Sequence, residues 1–171
     1  MNDLNERWPH RWLNKKVQSK ENSKIDGIGI FAIENITKGE IVMIPGGIVV
    51  PINDLDFYKE KMGQVGIQID DNFFLSPISR DEILKNGAVN HSCNPNLGVD
   101  GTILIRAIKN IEAGEECVID YAFCYTLLDE FECNCGNLLC RERITGNDWQ
   151  IKSLQEKYSD YFSHFIKKKF L

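Results

Sequence analysis

No run in this 171-residue chain stays apolar over the roughly 20 positions that a membrane-spanning helix requires. The opening stretch, MNDLNERWPHRWLNKK, has no apolar centre of the kind a secretory signal carries. Basic charge is short as well: 20 Lys and Arg stand against 25 Asp and Glu, for a formal net charge of −5. Proteins that grip nucleic-acid phosphates show a basic footprint, so direct nucleic-acid binding is not expected. Internal repeats are missing too, which sets aside solenoids and propellers. A chain of this length can bury one sizeable core and still carry an appendage.

What is present is β texture and cysteine. Residues 1 to about 24 are polar and basic, with Trp8 and Trp12 as their large apolar anchors, and are expected to form a loose lead-in ending in a short strand. From Ile25, IDGIGIFAIENITKGEIVMIPGGIVV is β-branched and punctuated by glycine, which predicts short strands joined by turns. NDLDFYKEKMG (53–63) predicts a short helix with a polar cap and a glycine stop. VGIQI and FFL read as strands across an Asp-Asp-Asn turn, and Ser79 with Glu82 forms a capping box for a helix that Gly87 ends. TILIRAI (102–108) and CVIDY (117–121) predict two more strands. In the tail, Ile151, Leu154, Tyr158, Phe162, Phe165 and Ile166 have the spacing of one or two helices lying on the body. The fold class expected is mainly β, with several small sheets, short helices, a cysteine knuckle and a helical tail.

Six cysteines are unevenly placed. Cys133, Cys135 and Cys140 form C-x-C-x4-C around the Gly136 turn. Thiolates in such a cluster suit zinc, which takes four ligands in a tetrahedron in structural sites. The three local cysteines need a fourth. Cys93, in the turn-rich stretch VNHSCNPN (89–96), is the best candidate, and Cys124 is its rival. Cys117 alternates within a predicted strand and is expected in the core. A closed four-thiolate site leaves no position for metal-bound water, which argues against zinc hydrolase chemistry. A dithiol redox pair at Cys133 and Cys135 is disfavoured, because one intervening residue is a tight geometry and zinc accounts for Cys93 as well.

Four motifs stand in order: GIGIFA (27–32), NHSCNPN (90–96), AGEECVIDYA (113–122) and CNCGNLLCR (133–141). As a set they resemble the SET-domain protein lysine methyltransferases with a post-SET zinc segment, over about residues 17–141. The TGNDW stretch (145–149) is similar to that of small stand-alone members. The resemblance implies a SET fold with a pseudoknot, and the boundaries 1–16 lead-in, 17–123 SET domain, 124–146 post-SET segment and 147–171 tail. It implies binding of S-adenosylmethionine (AdoMet) through Gly27, Ile28, Gly29, Asn90, His91 and Tyr121, with Trp149 as a candidate cover over the adenine or wall of the lysine channel. It makes Tyr121 the catalytic residue, Ile119 and Tyr121 the walls of the substrate channel, and Cys93, Cys133, Cys135 and Cys140 the zinc ligands. The implied activity is methyl transfer to a lysine of a basic protein such as a histone. The alternative is a catalytically silent SET-like module that only docks partners. The expected state is a monomer with no membrane contact, cytoplasmic in a bacterial source, with action in a host nucleus or on chromatin as an alternative.

The chain departs from the family pattern in places. Gly87, Ala88 and Val89 stand where many members have Arg-Phe-Ile. Ile119 stands where many have Phe or Tyr, at a position tied to how many methyl groups fit. A smaller residue without a hydroxyl leans towards di- or trimethylation. No second active-site tyrosine can be placed in residues 50–75, since Tyr58 falls in the predicted helix.

Overall fold

A computed structural model of the chain describes residues 10–171. The sequence expectations for residues 1–9, including Trp8 as an anchor, lie outside the described residues. Strands β1 (Trp12–Leu13), β2 (Val17–Glu21), β3 (Ile28–Ala32), β4 (Ile41–Ile44) and β5 (Ile48–Pro51) come first. Helix α1 (Leu55–Met62), strands β6 (Ile67–Asp70) and β7 (Phe73–Ser76), and helix α2 (Arg80–Asn86) follow. Next are β8 (Asn90–His91), β9 (Leu97–Asp100), β10 (Leu104–Ala107) and β11 (Glu116–Ile119). The C-terminal part holds β12 (Phe131–Glu132), β13 (Arg143–Ile144), α3 (Lys152–Tyr158) and α4 (His164–Lys167).

The main sheet has the order β1-β4-β10-β9-β11-β3-β2, with β8 also on β11. A second sheet, β5-β7-β6, carries the insertion between β5 and β8, and β12 pairs with β13 in the cysteine segment. The architecture is the mainly-β arrangement of several small sheets that the sequence predicts. Register explains the pattern of burial. In β9 and β10, Val99 faces Ile105 and Leu97 faces Ala107, and all four are buried. Cys117 is fully buried in β11 opposite Ile30, which makes it the small core hydrophobe expected of it.

Short helices follow their end signals. The Ser79 hydroxyl accepts from the Glu82 N–H at 3.2 Å. Glu82 returns the bond to the Ile78 N–H at 2.8 Å, one residue upstream of the usual capping-box partner. Gly87, at φ 73°, ends α2 with its N–H on Ile83 O. The tail forms two short helices rather than one. Phe123 and Phe162 are fully buried with ring centroids 4.8 Å apart, and the Ser163 N–H reaches Phe123 O at 2.9 Å. This packing clamps the tail onto the turn that follows β11.

That turn also corrects one expectation. CVIDY was expected to be strand throughout, but β11 stops at Ile119, and Tyr121–Phe123 forms a 3-10 turn capped by Asp120, whose carboxylate accepts the Ala122 N–H. The cap wins because Asp120 satisfies the donors that a continued strand would have left to a neighbour.

Candidate active site

β11 is the spine of the site. Asn90 and His91 run parallel to it, opposite Val118 and Ile119. The stitching continues past them: the Ser92 N–H reaches Ile119 O at 2.9 Å and the Asn96 N–H reaches Val118 O at 3.1 Å. The Asn96 side chain completes the seam, accepting the Val118 N–H at 2.7 Å and donating to Glu116 O at 2.8 Å. The polar run at 90–96 thus lies beside Tyr121, as the expected pseudoknot requires. Buried side-chain amides of this kind act as surrogate backbone, which satisfies groups that no strand reaches.

Asn90 pins the glycine loop. Its Nδ2 donates to Asp26 O at 2.9 Å and to Glu116 Oε1 at 2.8 Å, within reach of Ile28 O and of Ser23 Oγ. The Ser23 hydroxyl in turn meets the same carboxylate at 2.9 Å. A Cβ on Gly29 would overlap the Glu116 carboxylate, so glycine is needed there for close packing. Gly27 takes φ 39°, a left-handed turn that glycine adopts without strain.

His91 is buried and neutral. Burial pushes it down to about 4, although Asp120 nearby pulls the other way. Its Nδ1 accepts the Tyr121 N–H at 3.1 Å, which places the ring proton on Nε2, 3.4 Å from Cys93 Sγ. One imidazole therefore joins the tyrosine turn to the cysteine cluster.

The cysteines meet as expected. Sγ atoms of Cys93, Cys133, Cys135 and Cys140 all lie within 4.8 Å of one another, and those of Cys93 and Cys133 are 3.9 Å apart. Ligands about 2.3 Å from a tetrahedral zinc sit roughly 3.8 Å from each other, so the donor set and spacing fit a structural zinc. Backbone N–H groups of Arg141 and Glu142 point at Cys93 Sγ and Cys140 Sγ, both at 3.3 Å, and such donors stabilise thiolates. Burial drives Cys93 up to about 11. For Cys135 burial also acts upward, but the Cys93 and Asn137 N–H groups and the neighbouring thiols outweigh it and bring that thiol down to about 7. The rival ligand Cys124 is elsewhere, buried in the core, where burial raises its thiol.

A buried ion triad ties this cluster to the tyrosine turn. Asp120, fully buried, accepts Arg141 Nη1 at 2.6 Å and Nη2 at 2.8 Å, while Arg141 Nε reaches Asp148 at 3.0 Å. Burial disfavours the guanidinium, but the two carboxylates more than offset this and raise Arg141 above its usual range. Sequence reasoning assigned no role to these three residues, although DY, CR and NDW were all in the quoted motifs.

Two cavities flank Tyr121. An open one of about 430 Å³ is lined by Ile25, Asp26, Asn90, His91 and Phe131, with acidic Asp129, Glu130 and Glu132 at its edge. A narrow one of about 70 Å³ is mostly apolar and lined by Val65, Val89, Ile119, Cys124 and Tyr125. Tyr121 and Gln64 line both. The Tyr121 hydroxyl donates to Val89 O at 3.1 Å, and burial raises its pKa, so it stays a phenol. Phe131 stands edge-on to both His91 (6.0 Å) and Tyr121 (5.9 Å). It was missed in the sequence; its signal was an aromatic two residues before Cys133.

Other predicted residues fall differently. Ile119 lines the small cavity, whereas Gly27, Ile28 and Gly29 line neither of the two. Trp149 lines neither cavity and packs half-buried against the core. Tyr58 donates to Pro77 O at 2.8 Å, and burial pushes it up to about 12.

Comparison with known proteins agrees with this geometry. The SET-domain profile matches residues 27–122. Histone-lysine N-methyltransferase ASHH3 of Arabidopsis thaliana is 31% identical over 76% of this chain and 38% of its own length. Histone-lysine N-methyltransferase 2B of Homo sapiens is 33% identical over 77% of this chain but only 5% of its own. This chain therefore spans well under half the length of those curated relatives. Among solved structures, KRYPTONITE in complex with mCHG DNA and SAH shares the fold at a TM-score of 0.57 and 23% identity, over 77% of this chain and 29% of that one. With the family model covering more than half of its residues, including Asn90, His91 and Tyr121, the chain belongs to the SET-domain family.

Proposed function

We propose that this chain is an AdoMet-dependent protein lysine N-methyltransferase acting by direct SN2 transfer to the ε-amine of a basic protein, histone or histone-like. One observation carries the reading: Tyr121 lines both the larger cavity beside Asn90 and His91 and the small, mostly apolar one beside Val89 and Ile119. A cofactor in one cavity and a lysine in the other would each contact Tyr121, and in-line positioning of two reactants can be worth several kcal/mol of barrier. AdoMet, once bound, supplies an electrophilic methyl group on a sulfonium. The residues around the open cavity, Asn90, His91, Phe131 and Asp26, would hold it, and the four cysteines would hold one structural zinc.

The remaining work belongs to the narrow cavity. Free lysine has a pKa near 10.4, so at neutral pH on the order of one side chain in a thousand is the neutral nucleophile. Walls of Val65, Val89, Ile119 and Tyr125 desolvate the ammonium and favour the amine. Because the Tyr121 hydrogen is committed to Val89 O, the phenol oxygen is left as an acceptor. It can take an amine N–H and turn the lone pair towards the open cavity. No covalent intermediate is needed. The acidic rim of Asp129, Glu130 and Glu132 favours a cationic partner, and the relatives' names support a histone-like one. Small Ile119 favours more than one methyl transfer.

Isothermal titration with AdoMet tests the reading at its base. One-to-one binding is expected, weakened by Asn90→Ala, which frees the loop carbonyls of Asp26 and Ile28. A flat titration with folded, zinc-loaded protein would move the chain to the silent docking module.

A further inference from the structure

Tyr121 and Tyr125 leave the same short turn. The Tyr125 N–H reaches Tyr121 O at 3.1 Å, closing one turn of the chain. Residues four apart on such a turn share a face, and the two rings meet edge-on with centroids 5.4 Å apart. Both line the narrow cavity, and Tyr125 does not line the open one. Their hydroxyls have like partners. Tyr121 donates to Val89 O and Tyr125 to Gly66 O, and Val89 and Gly66 also line the narrow cavity. Burial raises the Tyr125 phenol well above its usual range, so it keeps its proton. With that proton committed to Gly66, the oxygen can only accept, and no donor among the described residues reaches it. The ring is held from behind by buried Phe74, stacked on it with centroids 6.5 Å apart. Gly66 is held as well, since a Cβ there would overlap Ser76 Oγ and Leu75 O.

We propose that Tyr125 is a second catalytic residue, whose phenol oxygen accepts one N–H of the substrate amine while Tyr121 accepts the other. This rests on the methyltransferase reading. A neutral amine has two N–H groups and one lone pair. Two acceptors take the two N–H groups and leave the lone pair free for the methyl. In the transfer the N–C bond forms as the S–C bond breaks, the sulfonium leaves as a neutral thioether, and its positive charge passes to nitrogen. No proton moves in the step. Two fixed phenol oxygens face the growing charge, so their bonds strengthen towards the transition state. Tyr58, the tyrosine within residues 50–75, gives its hydroxyl to Pro77 O and lines neither cavity. The second phenol comes instead from four residues beyond Tyr121.

The test uses the zinc-loaded full chain, AdoMet and two synthetic peptides around the lysine that wild type labels in core histones or lysate, one unmodified and one monomethylated. A monomethylated amine has a single N–H, so one phenol loses its partner. Wild type is expected to turn over the unmodified peptide about tenfold faster, the scale of one hydrogen bond. Tyr125→Phe keeps the ring on Phe74 and removes the oxygen. Its kcat on the unmodified peptide should fall about tenfold, bringing the two peptides within about twofold of each other, with AdoMet affinity unchanged. A purely structural role, acting through the lost bond to Gly66, would lower Tm and slow both peptides alike. Both rates are read on one preparation, so loss of folded protein leaves their ratio unmoved. Wild-type rates that are equal or reversed overturn the inference even if the variant fails to fold. An unchanged ratio in folded Tyr125→Phe overturns it too, and either result leaves the methyltransferase reading intact. Wild type that binds AdoMet but labels no histone and no lysate protein overturns both.

Discussion

Tyr121 is held in place by three residues, each for a separate reason. Val89 takes its hydroxyl hydrogen, His91 takes its backbone N–H, and Asp120 caps the turn on which it sits. The last of these depends on Arg141, because Asp120 is fully buried and its charge is compensated by that guanidinium. Removing one partner of a buried pair strands the other, at about 3–5 kcal/mol. Arg141→Leu is thus expected to lower the unfolding free energy from denaturant titration by an amount in that range, and an unchanged value would refute the role given to the triad. A second residue-scale expectation concerns alkali. Burial raises Cys117 from 9.0 to about 12. Between those values the unfolded chain loses a proton that the folded chain keeps, so stability is full below about pH 9 and falls as pH rises towards 12. Cys117→Val should flatten that part of a stability-versus-pH curve; an identical slope would show that the thiol is not its source. Single residues were only partly legible in the sequence. Cys93 and Tyr121 stood in dense motifs. Asp120, Arg141 and Asp148 carry no local pattern, since Asp120 and Arg141 lie 21 positions apart and pair only after folding.

Among the elements, the cysteine knuckle is the most informative, because it closes one wall of the open cavity through Phe131 and Cys133. Metal analysis should find one zinc per chain. Cys93→Ser should lose it, whereas Cys124→Ala should keep it, since Cys124 lies in the core away from the cluster. Chelation is expected to abolish AdoMet binding while leaving most strand signal in far-UV circular dichroism, as the main sheet contains none of the three knuckle cysteines. Zinc retained by Cys93→Ser would transfer the fourth place to another ligand. Elements with strong punctuation were read well from sequence: Ser79 and Gly87 bracket α2, and the Asp-Asp-Asn turn joins β6 to β7. The end of β11 was not, because Asp120 looks like any strand-end residue until Arg141 arrives to neutralise it. The glycine pattern marked a loop that Asn90 and Glu116 pack against, and of the neighbouring residues Ile25 and Asp26 line the larger cavity.

For the molecule as a whole, the tail, the sheet and the knuckle converge on one turn. Phe123 packs on Phe162, Asp120 on Arg141, and Tyr121 between the two cavities, so four consecutive residues of chain join core, metal cluster and site. That convergence is the physical content of the claim that two reactants meet at Tyr121. The most direct measurement is incorporation of tritium from AdoMet into lysine, on core histones and on total lysate, by wild type and Tyr121→Phe. The account predicts labelled methyl-lysine with wild type and a loss of about a hundredfold in Tyr121→Phe at near-normal AdoMet affinity, the scale expected for losing a positioned group in the transition state. Equal labelling by both proteins would contradict it.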